Sequence, residues 1–148
     1  MPHKMIRQLA AYCKKKKILF MSTSFSIKDA IEVDKYTQIH KIASYEINHI
    51  PLLKFLSKTN KPLILSTGAS TVEEIDFAIR TVKKYGNHKM ALLQCTASYP
   101  APPSSLNLAV ISTLKQKYGL PVAGGNKFLD YPNKPGEAKF LRPDEGYG

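Results

Sequence analysis

Three short groups of residues carry side chains that could hold an anion. Lys41, Ser44 and Glu46 form the first, Ser66, Thr67 and Gly68 the second, and Cys95, Thr96 and Ser98 the third. A fourth hydroxyl group, Ser22-Thr23-Ser24, stands upstream of them. Each follows a brief β-rich run, and in parallel β/α folds chemistry collects where strands end. A lysine brings a compact cation, hydroxyls donate hydrogen bonds, and a glycine lets backbone N–H groups approach closely. Together they suit a phosphate or a carboxylate. Glu46 would serve a different purpose, orienting a sugar hydroxyl. Serine and threonine at one strand end commonly do no more than cap the next helix. Four such ends in succession, with a lysine and a glutamate among them, point to a site. His3, His40, His49 and His88 show no ligand spacing and read as surface or packing residues, so no metal is assigned to them.

The elements that position these groups alternate between strand and helix. An opening amphipathic helix carries Met5, Leu9, Tyr12 and Cys13 and ends in Lys14–Lys17, cations suited to a helix C-terminus. Strands are predicted over Ile18–Met21, Ile39–Ala43, Leu63–Leu65 and Met90–Leu93. Helices follow from about Ile27 to Tyr36 with Ser26 as cap, from Asn48 as cap with Pro51 in the first turn, and after Thr71. Thr71 and Glu74 spell a capping box, and Gly86 a stop. A Pro-rich loop, Tyr99–Pro103, leads to a helix starting near Ser104 or Ser105 and ending at Gly119. Beyond a stub of strand at Val122 the chain is crowded with glycine and proline. Residues 1–122 thus form one α/β domain, and 123–148 an irregular tail expected to stay disordered.

Composition narrows the function classes. The chain has 148 residues, 43% of them apolar, with no run long enough to span a bilayer and no signal-peptide pattern at its start. Cys13 and Cys95 lie far apart and read as free thiols of a reducing compartment, which favours a cytoplasmic protein. The net charge of +11 is nearly all lysine, with Arg7, Arg80 and Arg142 the only arginines. Base readers lean on arginine, so nucleic-acid binding ranks last.

The motifs Lys41-Ile42-Ala43-Ser44-Tyr45-Glu46, Lys61-Pro62-Leu63-Ile64-Leu65-Ser66-Thr67-Gly68 and Leu92-Leu93-Gln94-Cys95-Thr96-Ala97-Ser98-Tyr99-Pro100, followed by Asn107-Leu108, stand in order. From about Tyr12 to Pro121 the sequence resembles the N-acetylneuraminate (sialic acid) synthase family, including its legionaminic and pseudaminic acid relatives. That resemblance implies a (β/α)₈ TIM barrel, of which this chain supplies four to five consecutive βα units. It implies condensation of phosphoenolpyruvate with an N-acetylated aminosugar of the N-acetylmannosamine type, giving a sialic-type acid and phosphate. By motif position Lys41, Ser44 and Ser66 would contact phosphoenolpyruvate, and Glu46 and Tyr99 the aminosugar, with Thr67 and Thr96 as further candidates.

Departures accompany the resemblance. Ala97 stands where the family carries a serine or asparagine, and Ser24 and Ser26 replace a proline and an aspartate. The family's divalent metal (Mn or Mg) is held by histidines with no counterpart here, and Ala123-Gly124-Gly125-Asn126-Lys127 replaces the expected Ser-Asp-His element. A closed barrel needs roughly 200–250 residues. This chain is therefore expected to be inactive alone. The alternative is an assembly module, a half-barrel that pairs with a copy of itself or with a partner through exposed strand edges.

Overall fold

The structure is a computed structural model that describes residues 3–98 and 101–124. Helix α1 covers His3–Lys15, α2 Ile27–Asp34, α3 Ile50–Lys58, α4 Val72–Lys84 and α5 Ala109–Tyr118. Strand β1 covers His40–Ile42, β2 Leu63–Ser66, β3 Met90–Gln94 and β4 Val122–Gly124. The four strands form one parallel sheet in the order β1-β2-β3-β4. Each strand pairs with the next in sequence, which is the winding of a (β/α) barrel rather than of a doubly wound sheet.

Strand alternation sets the two faces of the sheet. His40, Ile42, Leu63, Leu65, Met90 and Leu92 are buried on one of them. The apolar members of that set share a core with Leu52, Leu53 and Leu56 of α3 and Ile75, Ala78, Ile79 and Val82 of α4. Truncating one such leucine to alanine typically costs about 2–5 kcal/mol. The opposite face carries Lys41, Ile64, Ala91 and Leu93, all only partly buried.

Several helix signals act as the sequence predicts. Ser26 accepts from Asp29 N, and Thr71 and Glu74 complete a reciprocal capping box. Gly86 and Gly119 take positive φ just beyond α4 and α5. Four predictions need correction. The run Ile18–Met21 forms no ladder, and Thr23 alone bridges Lys41 in parallel. Among the described residues it has β1 as its one strand neighbour, and a segment with one neighbour gains few ladder bonds. Asn48 does not cap α3: His49 holds that position, and the Asn48 amide donates to Glu74 Oε1 at 2.6 Å. The last helix starts at Ala109 rather than near Ser105, because a 3₁₀ turn (Pro103–Ser105) and Asn107 at φ 48° intervene. Of the tail predicted over 123–148, Ala123 and Gly124 instead belong to β4, held in register by Leu93 and Gln94, and residues 125–148 lie outside the described residues.

A polar network ties the opening ends of the strands. The fully buried His40 places Nε2 2.9 Å from Asp34 Oδ1, and Lys61 Nζ donates to the same oxygen at 2.6 Å. Asn87, also fully buried, donates to the Lys61 carbonyl at 2.7 Å. Burial pushes the Asp34 carboxyl up, but the hydrogen bonds from Lys61 and His40 outweigh it and hold it below its ordinary value. Burial lowers His40, with Asp34 opposing. Both shifts run downward, so the stability they represent is present at neutral pH. The His40 part fades as pH falls below about 6.5 through the lowered imidazole value, and the Asp34 part fades in stronger acid. The melting temperature should therefore fall between about pH 7.5 and pH 5.5, and His40→Gln should flatten that limb. The Asp34 and Lys61 side chains are 32% and 30% exposed, so Asp34→Ala should cost about 2 kcal/mol, short of the ~3–5 for a fully buried pair. Urea unfolding checks both.

Candidate functional site

The strand ends meet at Gly68. A Cβ built there would lie 2.4 Å from the Cys95 carbonyl oxygen, so only glycine lets the loops after β2 and β3 approach this closely. The Gly68 N–H donates to Ser44 Oγ at 3.1 Å, which draws in the loop after β1. Because Ser44 Oγ accepts that bond, its own O–H is left to donate elsewhere.

Lys41 and Ser66 fall on one sheet face. Lys41 pairs in register with Ile64, and Ser66 lies two residues further along the same strand. Among the described residues no acidic side chain lies within ion-pair distance of Lys41. Ser66 is 1% exposed, and its hydroxyl has no hydrogen-bond partner among the described residues. Leaving a buried hydroxyl unpaired costs about 1–3 kcal/mol, and such groups are rare enough to call for a ligand or a water. The hydroxyls of Ser24 and Ser70 are orphaned in the same way, after Thr23 and just before the α4 cap.

The other predicted residues are placed differently. Glu46 sits in a 3₁₀ turn (Ser44–Glu46) directly after β1. The Nδ1 of His49 lies 3.3 Å from Glu46 Oε2, close enough for an ion pair but without hydrogen-bond alignment. Thr67 donates to the Leu93 carbonyl at 3.1 Å and Thr96 to the Ser105 carbonyl at 3.0 Å, so both hydroxyl protons brace loops. Tyr99 lies outside the described residues. Lys41, Ser44 and Ser66 are therefore gathered at adjacent strand ends, Glu46 stands beside them, and Thr67 and Thr96 belong to the scaffold beneath.

Ser70 is not singled out by the sequence, Ser24 enters it only as one of the upstream hydroxyls, and His49 only as a histidine without ligand spacing. Ser24 and Ser70 stand two and one positions before the caps Ser26 and Thr71, where a hydroxyl reads as ordinary helix entry. His49 sits at the N-cap of α3 and its pairing with Glu46 depends on the intervening 3₁₀ turn. No His/Cys/Asp/Glu group of metal-binding size occurs among the described residues, so they do not fit a divalent metal. Two surface grooves lie elsewhere, one bounded by Ile50, Phe77, Arg80 and Tyr85, the other by α1 and residues 18–20.

Comparison with known proteins adds the following. The model of the NeuB family matches residues 1–125. The Bacillus subtilis spore coat polysaccharide biosynthesis protein SpsE is 39% identical over 139 residues, covering 93% of this chain and 36% of its own. The N,N'-diacetyllegionaminic acid synthase of Campylobacter jejuni is 37% identical over 119 residues, covering 78% of this chain and 36% of its own. The chain thus spans about a third of the length of these relatives. A crystal structure of N-acetylneuraminic acid synthetase from Leptospira borgpetersenii, in complex with citrate, superposes with a TM-score of 0.82 at 32% identity, over 86% of this chain and 45% of that one. A truncated 3-deoxy-D-arabino-heptulosonate 7-phosphate synthase from Thermotoga maritima, at 19% identity and a TM-score of 0.73, shares the fold.

Proposed function

This chain belongs to the NeuB family, and from that premise we propose that it supplies substrate-facing strand ends of a synthase that joins phosphoenolpyruvate to an N-acetylated aminosugar of the N-acetylmannosamine type. The observation that carries this reading is the buried Ser66 hydroxyl on the same sheet face as the Lys41 cation, neither of them partnered among the described residues. The Lys41 ammonium meets an anionic group of phosphoenolpyruvate, and the hydroxyls of Ser44 and Ser66 donate to its oxygens. Glu46 accepts from a hydroxyl of the aminosugar, which Tyr99 also meets. Thr67 and Thr96 serve by fixing the loops. In the reaction, C3 of phosphoenolpyruvate bonds to the aldehyde carbon of the open-chain sugar. Water adds its oxygen at C2, the C2–O bond to phosphate breaks, and phosphate leaves as C2 becomes a ketone. These residues hold and orient the two substrates so that C3 faces the aldehyde.

The divalent metal of such synthases would supply Lewis-acid chemistry, and no His/Cys/Asp/Glu group that could hold it occurs among the described residues. This chain alone is therefore expected to bind phosphoenolpyruvate without turning it over. Calorimetry should show saturable binding of phosphoenolpyruvate. A phosphate-release assay with N-acetylmannosamine and manganese should stay at the background rate. Absence of binding would contradict the site, and sustained phosphate release would contradict the inactivity of the chain alone.

A further inference from the structure

Glu46 and His49 face each other across a single turn. The Glu46 N–H donates to the Ala43 carbonyl and the His49 N–H to the Glu46 carbonyl, both at 3.0 Å. Residues three apart in such a turn stack their side chains on one side. The His49 ring accordingly brings Nδ1 to 3.3 Å from Glu46 Oε2, with the two side chains 34% and 26% exposed. Nδ1 itself is buried and has no hydrogen bond among the described residues. The contact spans three residues, so the local backbone sets it.

The histidine side of this contact is the firmer one. His49 is the N-cap of α3, and its carbonyl accepts from Leu53 N at 3.0 Å. Beside it the Asn48 amide donates to Glu74 Oε1 at 2.6 Å, and Glu74 Oε2 accepts from Thr71 N at 2.8 Å in the capping box of α4. The turn is thereby tied to the starts of two helices. The Glu46 carboxylate has less to hold it. Among the described residues no lysine or arginine lies within ion-pair distance, and His49 is its one basic neighbour. A carboxylate only accepts, so a proton on Nδ1 is what makes the contact favourable.

We propose, on the reading that Glu46 meets the aminosugar, that His49 is the positioning residue for that carboxylate. Nδ1–H holds Glu46 Oε2, which leaves Oε1 to accept from a single hydroxyl of the sugar. In the free chain the contact is long and unaligned, and it shortens when the sugar seats the carboxylate, as contacts of this kind do on substrate binding. His49 touches no substrate atom, and its effect runs through Glu46.

The test uses the full 148-residue chain, saturated with phosphoenolpyruvate and titrated with N-acetylmannosamine while amide resonances are followed. His49→Ala should weaken sugar binding about tenfold, the scale of one hydrogen bond to a charged group. His49→Asn can place an amide donor where Nδ1 stands and should bring binding back to within about threefold of the original. Phosphoenolpyruvate binding by each variant shows that it is folded. With the ring neutral, long-range ¹H–¹⁵N spectra should find the His49 proton on Nδ1, and on Nε2 in Glu46→Ala. Sugar binding by His49→Ala equal to that of the unaltered chain would overturn the proposal. So would a failure of His49→Asn to recover, or a proton on Nε2 whether Glu46 is present or not. Failure of the unaltered chain to bind the sugar at all, while it binds phosphoenolpyruvate, would overturn the role of Glu46 itself and His49 with it.

Discussion

Lys41→Ala is expected to weaken phosphoenolpyruvate binding at least tenfold and up to roughly a hundredfold, without unfolding the chain. Removing one charged partner of a hydrogen-bonded contact typically costs about 1.5–3 kcal/mol, and Lys41 is the sole cation carried by β1, β2 or β3. The fold should tolerate the change, because the Lys41 side chain lies on the sheet face opposite the core and has no acidic partner to orphan among the described residues. Calorimetry on the variant checks the affinity and urea unfolding checks the fold. An unchanged affinity would place the anion elsewhere. Ser66→Ala acts on the same site with the opposite sign for stability. It removes an orphaned buried hydroxyl, so the free chain should be no less stable while binding falls.

Gly68→Ala should give the largest loss of stability. Its new methyl would sit 2.4 Å from the Cys95 carbonyl oxygen and 2.6 Å from the Cys95 carbonyl carbon and Cβ. The obstructing atoms are mostly backbone on an adjoining loop, so rotamer changes cannot relieve the overlap. Overpacking of this kind costs about 1–3 kcal/mol or more. Displacement would also strain the Gly68 N–H bond to Ser44 Oγ, worth about 1 kcal/mol. Gly86→Ala is the contrast: φ is +89° but no atom lies within 4 Å, so only the backbone term remains, near 1 kcal/mol. Urea midpoints of the two variants should differ clearly, with Gly68→Ala the less stable and Ser44 and Cys95 amide resonances displaced. Equal midpoints would mean that the strand ends are not drawn together at Gly68.

Local signals made much of this architecture legible in the sequence. The Thr71–Glu74 capping box, the Ser26 cap and the helix stops at Gly86 and Gly119 depend on neighbours a few positions away, and all form. The strands at β1, β2 and β3 were legible because buried alternation and terminal hydroxyls mark them. The run Ile18–Met21 has the same local texture yet forms no ladder. Strand formation is settled by a neighbour, and local texture cannot report whether one is present. The site shows the same division. The position of Lys41, Ser44 and Ser66 at strand ends was readable, whereas the bond from Gly68 to Ser44, the contact of Gly68 with Cys95 and the pairing of His49 with Glu46 arise from loops packing across the sheet. Thr67 and Thr96 look like ligand hydroxyls in sequence, but their protons brace loop carbonyls.

The most direct test of the central claim is a titration of the ¹⁵N-labelled chain with phosphoenolpyruvate, followed by amide resonances. The strand-end site predicts saturable shifts at Lys41, Ser44, Ser66 and Gly68, lost in Lys41→Ala. Shifts confined to Lys14–Lys17 and α1, or no saturable shift at all, would contradict it.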